Sequence, residues 1–274
     1  MKQTTERLFP DRTKTAEEMV IEAMHRFAYT TVEEYANPAD RLLEIGFGEG
    51  YGFQVVEPWI AEYMGVEVDR DSVAHATEKY GRPGASFMHY DGMTLPFDDA
   101  SFDLVIAFQV LEHVRDPEAF LREARRVARP GARVLIVTPN RNHRVGDGER
   151  PWNRYHVREF SPSELDVVMR EVFKIVDVFG IHGSPAMDDI ERARVARARK
   201  LVRLDPLGLR YVLPEGFDTR LRTFLRRRRR TSEALASSGS EIGIEQVHRS
   251  REDIDDALDL LAVAEGSELP GVAK

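Results

Sequence analysis
Glycines at alternate positions behind an acid, Glu44-Ile45-Gly46-Phe47-Gly48-Glu49-Gly50-Tyr51-Gly52, carry the spacing in this 274-residue chain that most directly implies ligand chemistry. The loop follows the apolar run Leu42–Ile45 and leads into a helix-forming segment. In that setting glycines let a ligand approach the backbone, and a helix N-terminus faces it. A dinucleotide fingerprint G-x-G-x-x-G set on Gly46 and Gly48 requires glycine at position 51, where Tyr51 stands; set on Gly48 and Gly50, it requires glycine where Phe53 stands. The pyridine-dinucleotide reading weakens accordingly. With no cysteine in the chain, disulfides, thiolate metal sites and Cys nucleophiles are excluded, so any reaction rests on His, carboxylates, hydroxyls or a bound cofactor.

The elements that must position this loop alternate in type. Thr15-Ala16-Glu17-Glu18 opens an amphipathic helix through Met19, Val20, Ala23, Met24 and Phe27, closed by Asn37-Pro38, so residues 1–40 read as an N-terminal helical arm. Strands are predicted at Leu42–Ile45, Met64–Val68, Ala85–His89, Asp103–Phe108, Arg133–Val137 and Phe173–Phe179. Between them helices are predicted after Tyr51, from a cap at Asp71 to about Tyr80, from Asp116-Pro117-Glu118 to Arg129-Pro130-Gly131, and from the capping box Ser161-Pro162-Ser163-Glu164 to about Val172. This alternation implies an α/β fold with a parallel sheet and helices on both faces. The rhythm stops between His182 and Ala257, a stretch too long for a plain connection and expected to be a cap or lid insertion. Leu258–Ala264 is too short a pattern to separate helix from strand.

The net charge of -8 is uneven: residues 191–230 carry 14 Lys+Arg against 4 Asp+Glu. The run Arg226-Arg227-Arg228-Arg229-Arg230 has the chemistry to hold a polyanion, but a solvated face balancing acidic flanks is the plainer reading, and no nucleic-acid partner is expected. No run approaches the ~18 apolar residues of a membrane span, and the start lacks a secretory apolar stretch, so a cytoplasmic protein is expected.

Glu44 just before the first glycine would repel phosphate oxygens and suits a ligand with an ammonium group. S-adenosylmethionine, which has an ammonium and a sulfonium but no phosphate, fits. From this loop onward the chain resembles the class I S-adenosylmethionine-dependent methyltransferases. Over about residues 40–180 the loop is followed in order by Gly65-Val66-Glu67-Val68-Asp69, Asp91–Phe97, Ser101-Phe102-Asp103, Val110-Leu111-Glu112-His113-Val114, Arg129-Pro130-Gly131 and Thr138-Pro139-Asn140. The resemblance implies a Rossmann-like, seven-stranded sheet with its last strand antiparallel, which makes Leu258–Ala264 that strand. The chain then divides into the arm at 1–40, a cofactor-binding core at 41–181, a cap at 182–257, and a final strand and tail at 258–274. By position, the resemblance implies cofactor contacts from Glu44, Gly46, Phe47 and Gly48, and from Glu67 with Val68 at the ribose hydroxyls. Asp91 with Gly92 and Met93 would meet the adenine, while Phe108 and Gln109 would line the methionine end and the adenosine. His25-Arg26-Phe27-Ala28 resembles the His-Arg-Tyr segment of sugar-modifying relatives, with Phe27 in place of Tyr, and implies Arg26 as a clamp for the methionine carboxylate.

Such a cofactor is already a strong electrophile, so the protein has mainly to align an acceptor and, for a hydroxyl, remove its proton. Of eight histidines, His156 in the loop Trp152–Phe160 is the favoured base and His113 the second. An aromatic, Asn- and Arg-rich loop suits a sugar, whose faces stack on rings and whose hydroxyls need planar donors. That loop, Phe179-Gly180-Ile181-His182-Gly183 and Arg251–Leu261 are similar to methyltransferases of polysaccharide and glycolipid biosynthesis, including mycobacterial enzymes of methylglucose lipopolysaccharide formation. The resemblance therefore implies O-methylation of a sugar hydroxyl, with a small-molecule natural-product methyltransferase and a non-catalytic cofactor-binding regulator as alternatives. His182 with Asp188-Asp189 and Asp147 could hold a divalent ion such as Mg2+, but the spacing demands none, and no metal is assigned. A homodimer through the insertion is allowed.

Overall fold
Apolar residues alternate along the central strands, and the two alternating sets face two different helical layers. The computed structural model describes residues 15–146, 149–203 and 242–266. Its strands are β1 (Arg41–Ile45), β2 (Glu62–Glu67), β3 (Ala85–His89), β4 (Phe102–Phe108), β5 (Ala128–Pro139), β6 (Val176–His182), β7 (His248–Ser250) and β8 (Asp259–Glu265). They form one sheet in the order β3-β2-β1-β4-β5-β8-β6-β7. The pairs from β3 through β5 are parallel, β8 runs antiparallel between β5 and β6, and β7 is an antiparallel edge strand on β6.

The helices are α1 (Ala16–Thr30), α2 (Gly52–Val56), α3 (Arg70–Tyr80), α4 (Pro117–Val127), α5 (Arg141–Arg144), α6 (Pro162–Arg170) and α7 (Pro185–Arg203). Along β4, Val105 and Ala107 pack with Phe120, Leu121 and Ala124 of α4 and with Leu165 and Met169 of α6. Leu104, Ile106 and Phe108 face the other way, toward Val20, Met24 and Tyr29 of α1, Phe53 of α2 and Met187 of α7. The sheet is thus covered on both faces, which parallel strands require. Local chemistry fixes the helix starts: Thr15 with Glu18 and Ser161 with Glu164 form complete capping boxes, and Asp116 accepts from the Ala119 N–H at 2.9 Å with proline next in line.

Four expectations need correction. The sheet has eight strands, not seven, because His248–Ser250 pairs with Gly180–His182; three residues offer no period to read. The strand expected at Phe173–Phe179 starts at Val176, because Val172 and Phe173 stay in the core at the end of α6 while Ile175 is exposed. The cap of α3 is Asp69 rather than Asp71: Asp69 is still extended at the end of β2, and its Oδ2 accepts from the Ser72 N–H and Oγ. The arm helix ends at Thr30 and passes into a 3-10 turn, Thr31–Glu34, before Asn37-Pro38 is reached. The stretch expected to be a cap begins with α7, which packs against α1. Asp147 and Arg226–Arg230 lie outside the described residues. Among the described residues, no helix is long and apolar enough to cross a membrane.

Candidate active site
The C-terminal ends of β1 and β2 build one half of the site largely from backbone. Gly46, Gly48 and Gly50 all have positive φ, at 79°, 58° and 77°. A Cβ on Gly46 would lie 2.5 Å from Val110 Cγ2, whereas one on Gly48 would meet nothing within 4 Å, so the loop is open there. Glu67, the last residue of β2, ties that open point down: its Oε2 accepts from the Gly48 N–H at 3.0 Å, and its Oε1 from the Val68 and Asp69 N–H groups at 2.7 and 3.3 Å. Beside it, Val68 is 53% and Met93 75% exposed. A Cβ on Gly92 would lie 3.1 Å from Val68 Cγ1, so the Asp91-Gly92-Met93 turn sits against Val68. Asp91 Oδ1 accepts from the Met93 and Thr94 N–H groups at 2.8 and 2.9 Å, and these two bonds hold its carboxyl below the ordinary range. Apolar surface left in water beside two carboxylates and an open glycine fits a nucleoside with hydroxyl and amino donors.

Beneath this surface Glu44, Phe47 and Phe108 are packed into the core. Glu44 is buried on the α1 side of β1, where Tyr29 donates to Oε1 at 2.6 Å and Tyr63 donates to Oε2. Burial pushes its carboxyl up to about 7, with the two tyrosine hydroxyls acting in the opposite sense. Phe47 packs edge-on against Phe87, and Phe108 against Tyr29 at 5.1 Å, both in the core. Arg26 is half-exposed on α1 and pairs with Glu22 one turn away at 3.0 Å. Its neighbour His25 reaches the Tyr51 hydroxyl at 3.3 Å, which puts the arm against the end of the glycine loop.

The ends of β4, β5 and β8 build the other half from side chains. Gln109 leaves β4 in the left-handed region, φ 57°, held by its N–H to the Val137 carbonyl at 2.7 Å and by its amide to Asp259 Oδ2 at 3.1 Å. Strain of this kind at a non-glycine residue marks a position fixed by its surroundings. A 3-10 turn, Leu111–His113, follows, and the 149–160 loop is strapped onto it by the Val157 and Arg158 N–H groups on the Glu112 carbonyl. This brings the two favoured histidines together: the rings of His113 and His156 meet edge to face, 4.8 Å between centroids. His156 is buried with Nδ1 2.6 Å from Glu159 Oε1, while His113 is exposed with Nδ1 3.0 Å from the Tyr155 carbonyl. Glu112 is buried and accepts from Thr138 Oγ1 at 3.0 Å. Asp259 opens β8, and burial pushes its carboxyl up to about 7 against the pull of Arg144.

Residues 43–136 match the methyltransferase domain family. A probable S-adenosylmethionine-dependent methyltransferase of Mycobacterium tuberculosis is 30% identical over 241 residues, covering 88% of this chain and 81% of that protein. The chain belongs to the S-adenosylmethionine-dependent methyltransferases. A probable methyltransferase of this kind from Mycolicibacterium smegmatis is 37% identical over 145 residues, which cover 52% of this chain and 56% of that protein. The YcgJ protein of Bacillus subtilis shares the fold at 19% identity, TM-score 0.54, over 89% of this chain and all of its own. S-adenosylmethionine is thus the cofactor and methyl transfer the role of the methyltransferase. None of these three names an acceptor, and none names a sugar.

Within the methyltransferase, the residues that sequence reasoning missed lie on the side built by β4, β5 and β8. Glu159 stands three residues after His156, a spacing that could have flagged it. Asp259 and Arg144 carried no local signal, because their roles arise only when β8 enters the sheet between β5 and β6. Asn140, noticed only as part of a motif, ties β5 to the approach of β8 through three bonds from its amide to the carbonyls of Ile254, Asp255 and Ala257. Among the rings of the loop expected to suit a sugar, Trp152 has the Arg144 and Arg194 guanidinium groups over it at 4.8 and 5.0 Å. His182 stacks on His248 at the β6–β7 edge. Among the described residues, His182 with Asp188 and Asp189 does not form a group close enough to hold an ion; Glu112, His113 and His156 do.

Proposed function
We propose that this methyltransferase transfers a methyl group to a hydroxyl of a sugar, oligosaccharide or glycolipid precursor. When bound, S-adenosylmethionine supplies a methyl group on a positively charged sulfur. Glu67 and Asp91 would hold it at the ribose and adenine, with Val68 and Met93 covering the adenine and Arg26 at the carboxylate. The observation that carries the hydroxyl reading is the pair of edge-to-face imidazoles whose Nδ1 atoms each face an oxygen, from Glu159 and from the Tyr155 carbonyl. Such an acceptor turns Nε2 into the proton-accepting nitrogen. His113, exposed at the turn, takes the acceptor's proton, and buried His156 with Glu159 positions it. This reverses the order expected from sequence, where His156 came first.

The sugar is favoured by the hydrogen-bonding side chains of the 149–160 loop and by the likeness of that loop to polysaccharide methyltransferases. The stretch 182–257 would serve as a cap, entered through α7. The test is methyl incorporation from labelled S-adenosylmethionine into a panel of mannosides, glucosides and hydroxylated small molecules. Transfer to a glycoside hydroxyl is the expected result. Transfer only to phenols or other small molecules replaces the sugar with a natural product, and tight cofactor binding with no transfer replaces the enzyme with a regulator.

A further inference from the structure
We propose that Glu112, His113 and His156 form a binding site for one divalent transition ion of the zinc or cobalt type. One ligand atom from each residue lies within 4.8 Å of the other two. Ligand atoms around tetrahedral zinc stand about 3.3–3.5 Å apart, given bonds of about 2.0–2.1 Å, so small side-chain rotations close the set.

The supporting contacts are those that metal ligands use. Metal-bound histidines are oriented by a carboxylate or carbonyl on the second ring nitrogen, which fixes the tautomer and directs the metal bond through the other nitrogen. His156 has Glu159 Oε1 at 2.6 Å from Nδ1, and His113 has the Tyr155 carbonyl at 3.0 Å from Nδ1, so both metal bonds would run through Nε2. The third ligand is held in the same manner, by the Thr138 hydroxyl on Glu112 Oε2 at 3.0 Å. These anchors come from the end of β5 and the 149–160 loop, so the geometry is fixed by separate segments rather than by one flexible turn. Around the ligands, the carboxylate of Glu159 adds negative charge, and Arg144, 3.8 Å from it, partly offsets that.

Two imidazole nitrogens and one carboxylate oxygen form a borderline donor set, suited to zinc, cobalt or ferrous iron rather than to Mg2+ or Ca2+, which take oxygen ligands. Three protein ligands leave a fourth position open, as catalytic zinc sites do. With the ion bound, His113 Nε2 is a ligand and the ion replaces it in activating the acceptor, whose hydroxyl in the open position would lose its proton to water more readily. That use rests on the proposed O-methylation, whereas ion binding does not.

Untagged protein stripped with a chelator and titrated with Co2+ should take up one ion per chain and develop visible d–d absorption. Zn2+ should displace it, and Mg2+ at the same concentration should not. Circular dichroism reports the folding of each variant. His113→Ala should abolish the band, and Glu159→Gln, which keeps the side chain's size, should weaken binding about 10- to 100-fold. His248→Ala, which removes the ring stacked on His182, should leave it intact. No uptake, or equal uptake by His113→Ala, overturns the site. Uptake without methyl transfer to any hydroxylated compound leaves the ion site standing and removes the O-methylation instead.

Discussion

The two halves of the site differ in what holds them. On the β1–β3 side the contacts are carboxylate to backbone: Glu67 takes three N–H groups and Asp91 two, and the residues concerned lie in three short stretches. On the β4–β8 side they are largely side chain to side chain and reach across the chain, with Gln109 bonded to Asp259 across 150 positions and His113 meeting His156 edge to face. A half made of backbone recognises a cofactor through shape and a few fixed acceptors. A half made of imidazoles and buried carboxylates can move protons, because an imidazole accepts a proton on one nitrogen while its other nitrogen is held by an oxygen, and burial pushes the Asp259 carboxyl up to about 7. The sharpest way to break this division is to remove the exposed imidazole. His113→Ala should lower turnover about 10²–10⁴-fold, the contribution of a positioned general base, while leaving the S-adenosylmethionine affinity measured by calorimetry unchanged. A parallel loss of cofactor affinity would show that the halves are one unit.

Each half also hides one carboxyl raised to about 7, Glu44 under the glycine loop and Asp259 at the start of β8. In both, burial is the largest cause, so the folded state favours the protonated form. A carboxyl raised in this sense contributes stability that is fully present below its unfolded value, near 4.5 for Glu44 and 3.8 for Asp259, and lost as pH rises through about 7. Glu44→Gln should therefore flatten the decline of the urea midpoint between about pH 4.5 and 7, by on the order of 3 kcal/mol in unfolding free energy. Tyr29 and Tyr63 both donate to Glu44, and a glutamine keeps an acceptor for one of them. An unchanged slope in the variant would mean that the tyrosine hydroxyls, not burial, set the state of this carboxyl.

The same division governs what could be read from sequence. The glycine loop was legible because it follows a strand end, where apolar runs and turn chemistry are local signals, whereas Glu67 and Asp91 were given their expected roles by family resemblance. The antiparallel last strand came from family resemblance rather than from its pattern, and the edge strand His248–Ser250 was missed because pairing alone defines it. His113 and His156 were both singled out, but their meeting depends on the 149–160 loop folding back onto the Glu112 carbonyl, which no spacing encodes. Phe47 and Phe108 were assigned to the cofactor because they flank the right motifs. Their rings turned inward because α1 and β3 supply aromatic partners, Tyr29 and Phe87, for them to pack against.

The smallest expected effects sharpen the comparison most, because they separate conformational strain from occupied space within one loop. Gly46 and Gly48 share the left-handed backbone, so alanine at either position costs about 1–2 kcal/mol of stability in strain. At Gly46 the new methyl also collides with Val110 Cγ2, and Gly46→Ala should be the less stable variant in a denaturant titration. At Gly48 the methyl enters open space, so Gly48→Ala should lose only the strain term. That open space is also where the backbone half is expected to admit its ligand, beside the carboxylate of Glu67. Gly48→Ala should therefore weaken S-adenosylmethionine binding more than its modest loss of stability suggests. Unchanged affinity in a folded Gly48→Ala variant would move the cofactor off this loop, since a methyl group placed in its path has to be felt.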